Sequence, residues 1–180
     1  MASSVAAERP MRRILVVGCP GAGKSSFARR LAEKLPLPLI YLDRFYWHSG
    51  WRPSQLSEWR DQVTALVTAP EWIMDGNYAN TFDLRMPRAD SLIWLNHPRM
   101  TCMRRVLMRI VKGRGRSRAD LPDGCPEQFD AEFLRFIWDF PAHYRPRIVD
   151  GIENFGRHLN VIQLAGDRET EYFLQSVGTA

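Results

Sequence analysis

The chain's 180 residues, 45% of them hydrophobic and 25% charged, fit one globular domain large enough to bury a core. No run of about 18 uncharged apolar residues occurs, and the first ten residues lack the apolar centre of a secretory signal, so neither a transmembrane nor an exported chain is expected. The net charge of +5 is concentrated, because residues 99 to 118 carry eight basic and no acidic side chains and leave the remainder at −3.

Residues 1–10 read as a loose tail, with Met11 an alternative start, so that 11–180 form a single domain. Ile14-Leu15-Val16-Val17 is a short apolar run of the kind that makes a buried parallel strand. Gly18-Cys19-Pro20-Gly21-Ala22-Gly23-Lys24-Ser25 follows and matches G-x-x-x-x-G-K-[ST], the phosphate-binding P-loop. Phe27, Leu31 and Leu35 then recur at four-residue intervals and predict a helix beginning near Ser25 and Ser26. Strand, glycine loop and helix N-terminus in this order let backbone N–H groups converge on a polyphosphate. Lys24 would add positive charge near the β- and γ-phosphates, and Ser25 would offer its hydroxyl to Mg²⁺. The cofactors expected are ATP and Mg²⁺.

Leu37 to Leu42 reads as a second strand ending at Asp43, before an aromatic loop with Phe45, Tyr46, Trp47, His48 and Trp51. Ser54 is placed to cap the next helix, whose Leu56, Trp59, Val63 and Leu66 have helical spacing, and Pro70 ends it. Trp72-Ile73-Met74 is a third strand that delivers Asp75-Gly76-Asn77-Tyr78 to its C-terminal end. A short helix is expected from Thr81 to Met86, and a fourth strand over Ser91–Leu95. The following helix has Met103, Val106, Leu107, Ile110 and Val111 on one face and Arg105, Arg109 and Lys112 along another. Gly113 to Pro126, punctuated by Gly, Pro and Asp, reads as a long mobile loop. Helix resumes from Glu127 to Ile148, with interruptions expected at Pro141 and Pro146. Asn160–Leu164 is the last strand, Gly166 opens a loop, and a short helix closes the chain.

Alternating β and α segments with short apolar strands predict an α/β fold, a parallel sheet covered on both faces by helices. Ligand then sits outside the carboxyl ends of the strands, where Gly18, Asp43, Asp75 and Asn96 converge. Asp75 either holds the metal with Ser25 or caps its turn. Asp43 either takes a proton from, or orients, an acceptor hydroxyl, or else caps a turn. The aromatics at Tyr46, Trp47 and Trp51 stack on a planar acceptor or simply belong to the core. Three cysteines, at 19, 102 and 125, form no metal spacing and fit a reduced, cytoplasmic setting.

These residues resemble the small P-loop kinases of the adenylate kinase and shikimate kinase type. More narrowly, the chain is similar to the branch labelled DNA topology modulation protein, or FlaR-like. The P-loop carries the likeness, together with Leu42-Asp43 and Tyr46-Trp47, Trp72 to Tyr78, Asp83-Leu84-Arg85 to Pro87-Arg88-Ala89-Asp90, Ile93-Trp94-Leu95, Phe133 to Phe136 and Tyr144 to Arg147. The resemblance implies a P-loop three-layer sandwich with a five-stranded parallel sheet and a helical, arginine-bearing lid at about 113–127. In it, Arg104, Arg109, Arg114 and Arg116 reach phosphate, Arg114 and Arg116 act in catalysis with Lys24 and Asp43, and Gly166 lies in the loop that contacts adenine. It also implies ATP contacts from Gly18, Pro20, Gly21, Ala22, Gly23, Lys24, Ser25 and Ser26, and acceptor contacts from Asp43, Tyr46, Asp75 and Tyr78. Nucleoside monophosphate kinases carry Asp-Gly-Phe-Pro-Arg where Asp75-Gly76-Asn77-Tyr78 stands, so their acceptor arginine is missing and Arg85 or Arg88 is the replacement to examine. Asp43-Arg44-Phe45-Tyr46 instead resembles uridine kinase and ribosylnicotinamide kinase, whose aspartate meets a sugar hydroxyl.

The expected activity is ATP- and Mg²⁺-dependent phosphoryl transfer to a small molecule, a nucleoside or nucleotide. The alternative is a nucleotide-regulated DNA-binding protein using residues 99 to 118 against phosphates. It is not favoured, because the chain has no helix-turn-helix, zinc or RNA-recognition signature.

Overall fold

The computed structural model describes residues 11–113 and 120–178. The expected N-terminal tail at 1–10 and the lid arginines Arg114 and Arg116 lie outside the described residues. Strand β1 (Arg13–Gly18) runs through the P-loop into helix α1 (Lys24–Lys34), followed by β2 (Leu39–Tyr41) and the single turn α2 (Asp43–Tyr46). A two-stranded hairpin of β3 (Trp47–His48) and β4 (Arg52–Pro53) precedes α3 (Leu56–Leu66). Then come β5 (Trp72–Asp75), α4 (Phe82–Arg85), β6 (Ser91–Leu95) and the long α5 (Arg99–Gly113). Helices α6 (Ala131–His143) and α7 (Arg145–Phe155), strand β7 (Asn160–Leu164) and α8 (Asp167–Ser176) complete the described chain.

Five strands form one parallel sheet in the order β2-β5-β1-β6-β7. Hydropathy explains the order. The residues of β5 and β6, and all of β1 but Arg13, are buried, as strands covered on both faces must be, whereas β2 and β7 are only partly covered and sit at the edges. Register then sets the site. Tyr41 and Val16 both lie beside Asp75, and Leu42 N–H donates to the Asp75 carbonyl at 3.0 Å. Asp43, one residue further on, is thereby brought to the same end of the sheet as Asp75 and the P-loop.

Phe27, Ala28 and Leu31 of α1, and Trp59 and Val63 of α3, fill the core beside the sheet. The larger of these, Phe27, Leu31 and Val63 among them, each contribute about 2 kcal/mol through area removed from water.

Local differences from the expected elements have identifiable causes. Ser54 does not cap α3. Its hydroxyl donates to the carbonyls of Phe45 and Tyr46 at 3.2 and 2.9 Å, closing the turn after α2, and Gln55 precedes the helix instead. The helix expected from Glu127 begins only at Ala131, because Asp130 caps it by accepting from the N–H groups of Glu132 and Phe133 at 2.9 and 3.1 Å. Pro141 lies inside α6 without ending it. The carbonyl four residues earlier, which a proline leaves without its helical donor, belongs to Ile137 and faces the Cys19 thiol at 3.9 Å. Pro146 falls in the first turn of α7, where its missing N–H costs nothing.

The expected mobile loop over Gly113 to Pro126 is anchored in its described second half. Gly50 N–H donates to Gly124 O at 2.8 Å, Trp51 Nε1–H donates to Pro126 O at 3.1 Å, and the Cys125 thiol donates to His48 O at 3.3 Å. The hairpin that the sequence left as an aromatic loop thus holds this segment against the body of the domain.

Candidate active site

A cavity of about 780 Å³ opens at the carboxyl ends of the strands. Its floor is the P-loop. Gly21 and Gly23 hold φ values of 84° and 92°, in the left-handed region open to glycine. A Cβ on Gly21 would lie 2.4 Å from the Cys102 carbonyl oxygen, so the loop can pack this closely on α5 only without a side chain there. No side chain caps α1. Its first N–H groups therefore face a cavity lined by Gly23, Lys24, Ser25 and Ser26 without a protein acceptor from a capping residue, the arrangement that suits phosphate oxygens. Lys24 Nζ rests 3.4 Å from the Cys19 carbonyl, folded along the loop it would serve.

Pro20 and Gly21 also line the cavity. Gly18 and Ala22 do not, and their roles are structural. Gly18 exchanges two hydrogen bonds of 2.9 Å with the Asn77 side chain, which ties the mouth of the P-loop to the turn after β5. Ala22 is buried, and its carbonyl accepts from Arg105 at 3.5 Å. Gly166, expected in the loop that contacts adenine, precedes α8 and is not among the residues lining this cavity; its carbonyl accepts from Thr170.

Asp75 ends β5 at 5% exposure, and its Oδ1 is buried without a hydrogen-bond partner. Burial raises its carboxyl from 3.8 to about 6, Lys24 and the Ser25 hydroxyl pull the other way, and Asp43 and Asp120 add to the rise. A buried carboxylate oxygen with no protein donor, beside a serine hydroxyl at the foot of a phosphate loop, is the oxygen donor set of a hard divalent cation. The residues present therefore fit Mg²⁺, with Ser25 and Asp75 as the groups that would hold it.

Asp43 opens α2 and lines the cavity. Tyr78 donates its hydroxyl to Asp43 Oδ1 at 2.5 Å, and burial followed by the neighbouring Asp43 charge keeps the phenol protonated by raising it far above its ordinary range. Tyr78 adopts φ 36°, an unfavourable conformation for a bulky residue. Arg85 holds it there. Its guanidinium donates to the carbonyls of Gly76, Asn77 and Tyr78, and its Nε donates to Thr81 Oγ1 at 3.0 Å. Arg85 is wholly buried, which lowers its proton affinity to a pKa of about 10 and still leaves it charged at neutral pH.

The expectation that Arg85 or Arg88 contacts the acceptor is accordingly corrected. Arg85 is a brace inside the 76–78 turn, and Arg88 reaches the Val67 carbonyl at 3.4 Å, away from the cavity. Tyr46 is corrected too: its ring packs in a cluster with Trp59 and Tyr78, with centroids 5.2 and 4.7 Å away, rather than lining the cavity. Its neighbours Trp47 and Trp51 do line it.

Sequence reasoning gave no site role to most of the far wall, where Asp130, Glu132, Phe133, Phe136 and Tyr144 join Glu127 from the end of the expected lid. The capping pattern at Asp130 was the one available signal for where this wall begins. Arg109, expected to reach phosphate, lines the cavity and pairs with buried Glu127 at 2.8 Å. Arg105, from the same basic stripe, lies in a bidentate pair with Asp167 at 2.6 and 2.5 Å, which holds that carboxyl below its usual range.

A phosphate loop on the central strand, strand-end carboxylates and a parallel sheet in this order define a P-loop α/β protein of the shikimate kinase fold. Two solved structures make the likeness concrete. Shikimate kinase from Acinetobacter baumannii, in complex with shikimate, superposes with a TM-score of 0.59 at 13% identity, covering 93% of this chain and 90% of that one. Shikimate kinase from Bacteroides thetaiotaomicron superposes with a TM-score of 0.53 at 19% identity, covering 92% and 96%. At these identities the likeness is one of fold. No protein-family model and no curated protein matches the chain.

Proposed function

We propose that this protein is an ATP- and Mg²⁺-dependent kinase that phosphorylates a hydroxyl group of a small molecule, a nucleoside or nucleotide. The observation that carries the reading is that Asp43 and Asp75 line the same cavity as the uncapped N-terminus of α1. The α1 N–H groups and Lys24 would bind and orient the transferred phosphate, and bound Mg²⁺ would neutralise charge on its oxygens. Asp43 is then the group that accepts the acceptor's hydroxyl proton, and Tyr78 fixes the direction in which its carboxylate points. The fold of the two shikimate kinases supports a kinase and leaves the acceptor to be read from this chain's own walls.

The reading is tested by incubating the protein with ATP and Mg²⁺ against nucleosides, nucleotides and hydroxylated metabolites, with phosphorylated product followed by mass spectrometry. Product formation that Lys24→Ala reduces at least about a hundredfold is the expected result. An untouched panel, together with salt-resistant duplex DNA binding that ATP does not alter, would replace it with the nucleic-acid reading. Internal pairing of Arg105 with Asp167 and of Arg109 with Glu127 weighs against that alternative, because these cations are already engaged.

A further inference from the structure

The acceptor half of the cavity faces the P-loop across Asp43 and Asp75. Among the described residues, and leaving aside Lys24 of the P-loop, four groups in or beside it could bind an anion, and each is already engaged. Arg85, the cation nearest the 76–78 turn, spends its N–H groups on Thr81 and three backbone carbonyls and is fully buried. The N-terminus of α6 is closed by the carboxylate of Asp130, which takes the N–H groups of Glu132 and Phe133. Arg109 pairs with buried Glu127, and Arg105, which also lines the cavity, pairs with Asp167. What the wall presents instead is carboxylate and aromatic surface: Asp43, Asp130 and Glu132 with Trp47, Phe133 and Phe136. Independently of these, Asp75 lines the same cavity, and its Oδ1 is buried without a hydrogen-bond partner.

We propose that the acceptor carries no anionic group: it is an uncharged or amine-bearing hydroxyl compound with a flat or apolar face, so a nucleoside rather than a nucleotide. The proposal rests on the kinase reading for the word acceptor, but the charge preference belongs to the wall. A phosphate or carboxylate entering this half would meet like charges from Asp43, Asp130 and Glu132 in a partly desolvated space, with Arg85 unable to turn outward without abandoning three carbonyls. An aromatic or apolar ring would stack on Trp47 or Phe133, and a protonated amine would be attracted by the same carboxylates and ring faces. It follows that the two solved shikimate kinases, one of them crystallised with an anionic hydroxy acid, share this chain's fold without sharing its acceptor chemistry.

The test compares matched compounds on the full chain with Mg²⁺: nucleosides, their 5′-monophosphates, shikimate as a hydroxy acid, and amino alcohols. Transfer is measured with ATP, and binding is measured separately by calorimetry with a non-hydrolysable ATP analogue. The expected result is at least about tenfold preference, in kcat/KM and in Kd, for the uncharged or amine-bearing member of each pair. Glu132→Arg, an exposed substitution that leaves the core alone, should narrow the nucleoside-to-monophosphate ratio about threefold. A monophosphate or hydroxy acid used as well as its uncharged partner overturns the proposal while leaving the kinase reading intact. Transfer to no compound strikes the kinase reading, and the calorimetric ratios then decide the charge preference alone. Binding of none of the non-anionic compounds, or equal binding within every pair, overturns it.

Discussion

Asp75→Asn should make the metal-free protein more stable while removing its activity. Burial raises the Asp75 carboxyl from 3.8 to about 6. A folded-state value above the unfolded one means that the folded chain prefers the protonated acid, so holding it ionised costs stability, and that cost is present above pH 6 and vanishes as pH falls toward 3.8. A shift of this size, at about 1.4 kcal/mol per pKa unit, amounts to about 3 kcal/mol at pH 7.5 and about half of that at pH 5. Asparagine carries no charge and nearly the same shape, so the variant escapes the cost. The measurement is urea denaturation of parent and variant at pH 7.5 and pH 5 with a chelator present. The difference between the two proteins isolates this group, since Asp83, Asp167 and Glu171, whose carboxyls are held low by arginines, titrate alike in both. Adding Mg²⁺ and an ATP analogue should reverse the order, because only the parent gains a metal for its orphaned oxygen. A variant less stable than the parent at pH 7.5 without metal, or a difference that does not shrink at pH 5, would refute the reasoning.

Arg85→Met removes the donors from three carbonyls of the 76–78 turn and should cost about 3 kcal/mol in urea denaturation; a loss below about 1 kcal/mol would show that the turn holds Tyr78 in place unaided. Tyr78→Phe takes away the hydrogen bond to Asp43 and should lower kcat about tenfold with little change in the KM for ATP, while an unaltered kcat and pH profile would end the positioning role. Asp43→Asn should reduce kcat more than Tyr78→Phe does, and equal turnover in variant and parent would exclude Asp43 as the base. Gly21→Ala would place a methyl group 2.4 Å from the Cys102 oxygen at φ 84°, so binding of the ATP analogue should fall at least about tenfold by calorimetry, and unchanged affinity would mean that α5 yields.

Most of the donor half was legible in the sequence because its information is local. The P-loop needs glycines at fixed intervals, a lysine and a serine within eight consecutive residues, between a buried strand and a helix, and Gly18 to Ser25 supplies all of them in order. The sheet was legible for a similar reason: Ile14 to Val17, Trp72 to Met74 and Ser91 to Leu95 are short apolar runs that only a doubly covered parallel sheet accommodates. The strand-end rule then placed Asp43 and Asp75 together, and the register confirms it through Tyr41 and Asp75.

The acceptor half was not legible, because its residues act through partners distant in the chain. Arg85 looked like a replacement phosphate ligand until three carbonyls seven to nine residues earlier proved to surround it. Tyr46 read either as a stacking platform or as core, and Trp59 and Tyr78 packed around it decide for the core. The charge at Arg109 looked available for phosphate, yet Glu127 engages it from 18 positions away. The sequence by itself determined where a triphosphate would lie, since a backbone cradle and its lysine are encoded side by side. Which charges face the other substrate was decided only by tertiary structure, because an arginine's availability depends on what surrounds its guanidinium and not on its place in the chain.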